Sequence, residues 1–217
     1  MVSFHRIELP KLPSRPASSL EGDDTYSMAI KLTQTEEEQI YFCSFTCLNW
    51  MRLFEMTDLY LEIYKWFAIL IDKGHQICGF VIMPNHLHLL IYITKGQGSI
   101  NLILSNGKRF LAYEIVKRLG AIGRGDILKI LSSRVTPEES NRKKKHRVFE
   151  VSSDIKACYT QRFLIQKLEY IHSNPIRGQW HLAPTAEEFL HSSAGYYELN
   201  VEHPHVKITH YEDVGPA

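Results

Sequence analysis

No apolar run in this chain of 217 residues approaches the length of a membrane span, and its start shows no basic-then-apolar leader. A cytoplasmic location with no membrane contact is the expectation. Cysteine is scarce: Cys43, Cys47, Cys78 and Cys158 form no C-x-x-C pair and sit in apolar stretches, so they read as small buried hydrophobes rather than zinc ligands. A phosphate-cradling loop is missing too. Gly96-Gln97-Gly98-Ser99 is too short and lacks the following Lys-Ser/Thr, so it reads as a turn and no nucleotide chemistry is expected. Nor does one sign of charge dominate, since the net value is +1. No internal repeat is visible.

What is present suits one globular domain, with 44% hydrophobic and 23% charged residues. Positive charge is concentrated rather than abundant. Lys108, Arg109, Lys117, Arg118, Arg124, Lys129, Arg134, Arg142, Lys143, Lys144, Lys145 and Arg147 face only Glu114, Asp126, Glu138 and Glu139 over the same stretch. Such a run is either a solvated loop or a phosphate-contacting surface. The candidates for nucleic-acid contact are Lys108, Arg109, Arg142, Lys143, Lys144, Lys145 and Arg147.

Residues 1–36, broken by Pro10, Pro13, Pro16 and Gly22, read as a poorly structured arm, 37–198 as the domain and 199–217 as a tail. The segment from Gln39 to Cys47, with its run I-Y-F-C-S-F-T-C, is rich in aromatic and β-favouring residues and predicts a strand. Thr57 is expected to cap a helix to Lys73, whose stripe is Leu59, Ile63, Trp66, Phe67 and Leu70, stopped by Gly74. Ile77–Met83 and Leu87–Ile93 are strands joined through Pro84-Asn85. A helix follows from Ile100 to Leu119, with Asn106-Gly107 interrupting its pattern. Thr136-Pro137-Glu138-Glu139 suits the start of a short helix. Arg147–Ile155 reads as a fourth strand, and Thr160 caps a helix to Ser173 that Pro175 ends. This order predicts an α+β fold: a ferredoxin-like split βαβ sandwich with an antiparallel sheet and an additional C-terminal helix.

The run M-P-N-H-L-H-L-L (Met83 to Leu90) carries the chemistry. Strand residues two apart share a face, so His86 and His88 emerge together while Leu87, Leu89 and Ile91 point the other way. Two imidazoles on one face are either hydrogen-bonded histidines or ligands that leave a metal with open positions. His203-Pro204-His205 repeats the spacing, but its proline and polar surroundings place it in the tail. On the Thr160 helix, Leu164, Leu168 and Ile171 form the packing stripe. Tyr170 and Asn174 lie one turn apart on one flank, which Phe163 and Lys167 share. Alone, that pair reads first as a core-edge tyrosine and an asparagine capping the helix before Pro175.

Taken together, M-P-N-H-L-H-L-L, Y-I-H-S-N-P-I-R (Tyr170 to Arg177) and F-L-H-S-S-A-G-Y-Y (Phe189 to Tyr197) resemble the single-tyrosine HUH transposases, specifically the REP-associated tyrosine transposase branch. The aromatic first strand and Leu53-Phe54 agree, and the resemblance runs from about Gln39 to Tyr197. It implies Tyr170 as nucleophile on single-stranded or hairpin DNA, yielding a 5′-phosphotyrosine and a free 3′-OH. It also implies a divalent metal, Mg²⁺ or Mn²⁺, held by His86, His88 and Asn174, with Lys167 as an electrostatic helper. Monomer and homodimer are both compatible, with the site completed in cis or in trans. Ionising a free phenol at neutral pH costs about 4 kcal/mol, which such a site must offset. A non-catalytic DNA-binding relative, an initiator or relaxase, and a metal hydrolase with a structural Tyr170 are the alternatives.

Overall fold

A computed structural model describes residues 38–215; the arm expected over 1–36 lies outside them. Strands β1 (Gln39–Thr46), β2 (Gln76–Ile82), β3 (His86–Ile93) and β4 (Asp154–Ala157) form one sheet in the order β2-β3-β1-β4, every neighbour antiparallel. With β3 inserted between β1 and β2, which the α2 segment connects, this is the split βαβ arrangement that the element order predicts. The helices are α1 (Leu53–Met56), α2 (Tyr60–Asp72), α3 (Ile100–Ala121), α4 (Gly125–Ser133), α5 (Pro137–Asn141), α6 (Gln161–Ser173) and α7 (Ala194–Leu199).

The sheet separates two apolar layers. On one face Tyr41, Cys43, Phe45, Leu87, Leu89 and Ile91 pack under α2, α3 and α4. On the other, Ile40, Phe42, Cys78, Val81, Leu90 and Tyr92 meet Leu164, Leu168 and Ile171 of α6. A bulge between Ile77 and Gly79 shifts the alternation of β2 so that Cys78 and Val81 share the α6 face. At Gly79 a Cβ would stand 2.7 Å from Leu168 Cδ1, so the missing side chain lets α6 seat closely. All four cysteines are free and buried, as their apolar settings predict.

Four expectations shift. Thr57 does not cap the second helix: it ends α1, its hydroxyl donating to Leu53 O at 2.7 Å, and α2 starts behind Leu59 with no side-chain cap. The fourth strand is shorter than Arg147–Ile155. Val148 and Phe149 are buried through one isolated bridge, Cys47 to Phe149, and only Asp154–Ala157 joins the sheet. The segment read as a tail buries Val206 and Ile208 against the core and holds His205 stacked on Tyr64, ring centroids 4.8 Å apart. And α3 runs through Asn106-Gly107 without a break, because Gly107 is where Trp66 of α2 presses in.

A Cβ at 107 would overlap the Trp66 indole. Alanine there gains under about 1 kcal/mol of helix propensity, while overpacking a core contact costs about 1–3 kcal/mol. Gly107→Ala should therefore lower stability by about 1–2 kcal/mol in urea titration; a rise in the midpoint would overturn this packing account.

Candidate functional site

β3 places His86 and His88 on the α6 face, in the cross-sheet rows Thr46–His86 and Val81–His88–Ser44–Asp154. Both rings are buried, at 5% and 6% exposure. Asn85, next to them in the turn, fixes one tautomer. Its Nδ2 donates to Trp50 O at 2.9 Å, so its Oδ1 must be the acceptor facing His86 Nδ1 at 2.6 Å. His86 Nδ1 thus carries the proton and Nε2 keeps a lone pair. Burial pushes His86 down to about 4, a shift opposed by the nearby Asn174 side chain. Burial first, then His86 and Lys167, pushes His88 down to about 3. Both imidazoles are neutral at pH 7, as metal ligands must be.

α6 supplies the other side. The Tyr170 ring meets His88 edge-on at 5.1 Å and Phe42 at 6.2 Å, while Phe42 stacks on His88 at 5.5 Å. Tyr170 is 44% exposed, so the phenol is reachable from solvent while its ring is held. Asn174 Nδ2 donates to Tyr170 O at 3.1 Å, which leaves its amide oxygen free to turn toward His86. Lys167 Nζ stands over the rings of Phe42, Phe163 and Tyr170 at 4.6, 5.3 and 5.6 Å. One polypeptide therefore gathers His86, His88, Tyr170, Asn174 and Lys167.

The residues fit a divalent ion on one observation above others: both ring nitrogens of His88 are buried without any hydrogen-bond partner. An orphaned polar group of this kind costs about 1–3 kcal/mol and calls for an explanation. An ion held by the two neutral imidazoles and an amide oxygen, an open N,N,O ligand set, would account for one of the two His88 nitrogens. Among the described residues no group of three His, Cys, Asp or Glu is arranged to hold a metal ion, so any such site depends on the asparagine.

The basic stretch divides. Lys108 Nζ donates to Glu150 O and Ser153 Oγ at 2.9 and 3.1 Å. Burial pushes it down to about 8. Arg147 grips Glu139 at 2.7 Å, and Lys144 bonds the same carboxylate at 2.8 Å. Arg147 and Lys144 thus hold the α5 loop in place, and Lys108 holds the segment before β4. Arg109, Arg142, Lys143 and Lys145 remain exposed. The Leu48–Val148 backbone bond leads the loop carrying Arg142, Lys143 and Lys145 to the His86 end of the sheet, while Arg109 lies on α3.

Several site residues had no reading in the sequence. Arg177 lines a small cleft of about 160 Å³ with Tyr170, Ser173 and Asn174; it lies within the quoted motif, and its charge was the available signal. Asn85 was legible as a turn residue only. The motif from Phe189 to Tyr197 is a clamp: Ser193 Oγ accepts from Phe80 N at 2.9 Å and lies 2.8 Å from His172 Nε2, and Tyr197 donates to Cys78 O at 2.7 Å. It fastens α6 to β2, and with it Tyr170.

A second histidine group sits away from this site. His191 stacks on Tyr60 at 3.7 Å, its Nδ1 shares a hydrogen bond with the Tyr64 hydroxyl at 2.8 Å, and it lies among His203, His205 and Asp58. Burial, then His203 and His205, push it down to about 4. A depressed histidine contributes stability above its unfolded value near 6.5 and loses it as pH falls toward the folded value. Of the stability the native chain loses between pH 6.5 and 4, His191 should account for about 1–2 kcal/mol, discounted for partial exposure. The His191→Gln variant should show a shallower slope; equal slopes would remove His191 from this role.

Neither a protein-family model nor a curated protein sequence matches this chain. Solved structures do. A REP-associated tyrosine transposase bound to a REP hairpin is 12% identical, covering 85% of this chain and 96% of that one with a TM-score of 0.51. A protein from Deinococcus radiodurans described as a transposase is 17% identical over 63% of this chain and 91% of its own, at a TM-score of 0.38. The first match defines the class of fold: an α+β sandwich shared with tyrosine transposases. More particularly, this chain has the fold of the REP-associated tyrosine transposases. Among the described residues no helix is long and apolar enough to cross a membrane.

Proposed function

We propose that this protein is a metal-dependent transposase of the REP-associated kind that cuts and rejoins single-stranded DNA at hairpin-forming ends, with Tyr170 as nucleophile. The observation that carries it is the convergence of two neutral buried imidazoles, one of them lacking any partner, on a tyrosine and asparagine presented by α6. A neighbour of the same fold was solved on a REP hairpin, which supports hairpin DNA as the ligand class.

The reaction is a transesterification. Tyr170 Oη attacks the scissile phosphorus, a phosphorus–oxygen bond to tyrosine forms, and the bond to the 3′ oxygen breaks. The phenolic proton goes to solvent and the departing oxygen takes one up as the 3′-OH. One ester replaces another, so rejoining needs no nucleotide energy, in keeping with the lack of a phosphate loop. His86 Nε2, His88 and Asn174 would hold a divalent ion, Mg²⁺ or Mn²⁺, which when bound polarises the phosphate and offsets charge on the leaving oxygen. Lys167 places a cation beside the phenol ring, within reach of the charge carried by an incoming phosphate, and Arg177 is positioned to take a phosphate oxygen. Packing of Tyr170 on His88 within one chain supports completion in cis, by a monomer or by each subunit of a homodimer.

Incubating the full chain with a labelled hairpin oligonucleotide in Mg²⁺ or Mn²⁺ tests this on a denaturing gel. A covalent protein–DNA band is the expected result. Free fragments without the band would make it a hydrolase with a structural Tyr170. A mobility shift alone would make it a non-catalytic DNA-binding relative.

A further inference from the structure

Beside His86 lies a cleft of about 580 Å³ that the chemistry above does not use, lined by Trp50, Arg52, Asn85, Gln179, Trp180 and His181. Its volume falls in the usual range of small-molecule sites. Two indoles frame it. Trp50 and Trp180 stand 6.0 and 6.4 Å from the His86 ring, one from each side of the sequence. Arg52 lies over the Trp180 face at 5.6 Å.

Trp50 is held outward against its own preferences. It is 63% exposed, and both Asn49 and Trp50 have left-handed backbone, φ 53° and 56°. A bulky residue in that region is uncommon and strained. Neighbouring bonds impose it: Asn49 N donates to Glu150 Oε1 at 2.8 Å, Trp50 N to Cys47 O at 3.0 Å, and Asn85 Nδ2 to Trp50 O at 2.9 Å. The same Asn85 sets the His86 tautomer, so the indole and the imidazole are positioned by one amide. Trp180 is fixed by Trp180 N donating to Arg177 O at 3.1 Å, and Leu182 N to Pro175 O at 3.0 Å, just past Asn174.

We infer that this cleft is a nucleobase slot, which receives an unpaired base of the strand whose neighbouring phosphate lies at His86 and Tyr170. The inference rests on the DNA-transferase reading and adds to it the single-strand recognition element. Flat aromatic faces flanked by a guanidinium are what an unstacked base binds, and stacking tolerates any base. The exposed Gln179 amide, which can both donate and accept, lies at the rim and would read the base edge. A hydrophobic ligand fits less well, because Arg52, Gln179 and His181 share the wall.

The test uses the full chain carrying Tyr170→Phe, to prevent cutting, and a hairpin oligonucleotide with a single-stranded tail. An abasic site is moved through the tail, and affinity is read by fluorescence anisotropy. One tail position should weaken binding by roughly ten- to a hundred-fold when its base is removed. Trp50→Ala and Trp180→Ala should each weaken binding of the intact tail and erase the abasic penalty at that same position. Trp50→Phe and Trp180→Phe, which keep a stacking face, should retain most of the affinity. Emission of Trp66, buried in the core at 4% exposure, checks that each variant is folded. A flat abasic scan, or unchanged affinity in both alanine variants, would overturn the slot. If that happens while the unmodified chain still forms the covalent band, the transferase reading stands and only the slot is lost. Failure to bind any hairpin or tail overturns both.

Discussion

Changing Tyr170 to phenylalanine should abolish the covalent DNA adduct while leaving hairpin affinity within about twofold. The substitution deletes one oxygen. The ring contacts with His88 at 5.1 Å and Phe42 at 6.2 Å survive it, as does the Asn174 bond, which goes to the Tyr170 backbone carbonyl. Fold and site shape are therefore preserved, and the loss isolates the nucleophile. With the attacking atom gone, residual joining should fall at least about 10⁴-fold, the scale on which removing a nucleophile acts. An adduct that persisted on a denaturing gel would take Tyr170 out of the reaction. Adduct lost together with hairpin affinity would mean that the hydroxyl serves binding instead.

The second large effect concerns His88. Its two unpartnered nitrogens make it a burden on the metal-free fold, so His88→Leu, similar in volume, should leave stability unchanged or raise it by about 1–2 kcal/mol. Cleavage should nevertheless drop by about 10³-fold or more. A third readout separates ligation from packing: millimolar Mn²⁺ should raise the thermal midpoint of the native chain and not that of the variant, because only a folded-state ligand stabilises by mass action. Full activity of the native chain in excess chelator would refute the metal, and a destabilised but active variant would make His88 a core residue. His86→Ala should lose cleavage as well. Its stability cost is larger, since it breaks the Asn85 bond.

The parts of this molecule that were legible beforehand are those governed by short-range periodicity. The stripe Leu59, Ile63, Trp66, Phe67 and Leu70 is buried in α2, and the alternation through Leu87–Ile93 correctly placed both histidines on one face. Thr160 caps α6 as its position foretold, through the Phe163 N–H, and Thr136 with Glu139 forms a complete capping box. Where the reading slipped, a distant partner had overridden a local signal. Thr57 bonds backward to Leu53 instead of capping forward. Gly107, a helix breaker by composition, is a contact point for Trp66. Val148 and Phe149 look like strand residues because they are apolar, yet Phe149 is a core ring against Phe45 at 5.1 Å, outside the ladder. Lys108, Lys144 and Arg147 counted as free charge until their partners Glu150, Ser153 and Glu139 came into view.

By itself, the order of residues determined the types of the main periodic elements, the shared side of His86 and His88, and the one-turn spacing of Tyr170 and Asn174, because each depends only on the repeat of a strand or helix. That those two pairs meet was decided by tertiary structure. The β2-β3-β1-β4 order, the close seat at Gly79 and the Ser193 clamp bring α6 onto the histidine face. So were the paired indoles beside His86, whose residues lie 130 positions apart in the chain and share a cleft only through the bonds of Asn85 and the turn after Pro175. Contacts between distant segments follow from how whole faces pack, and no local pattern encodes them.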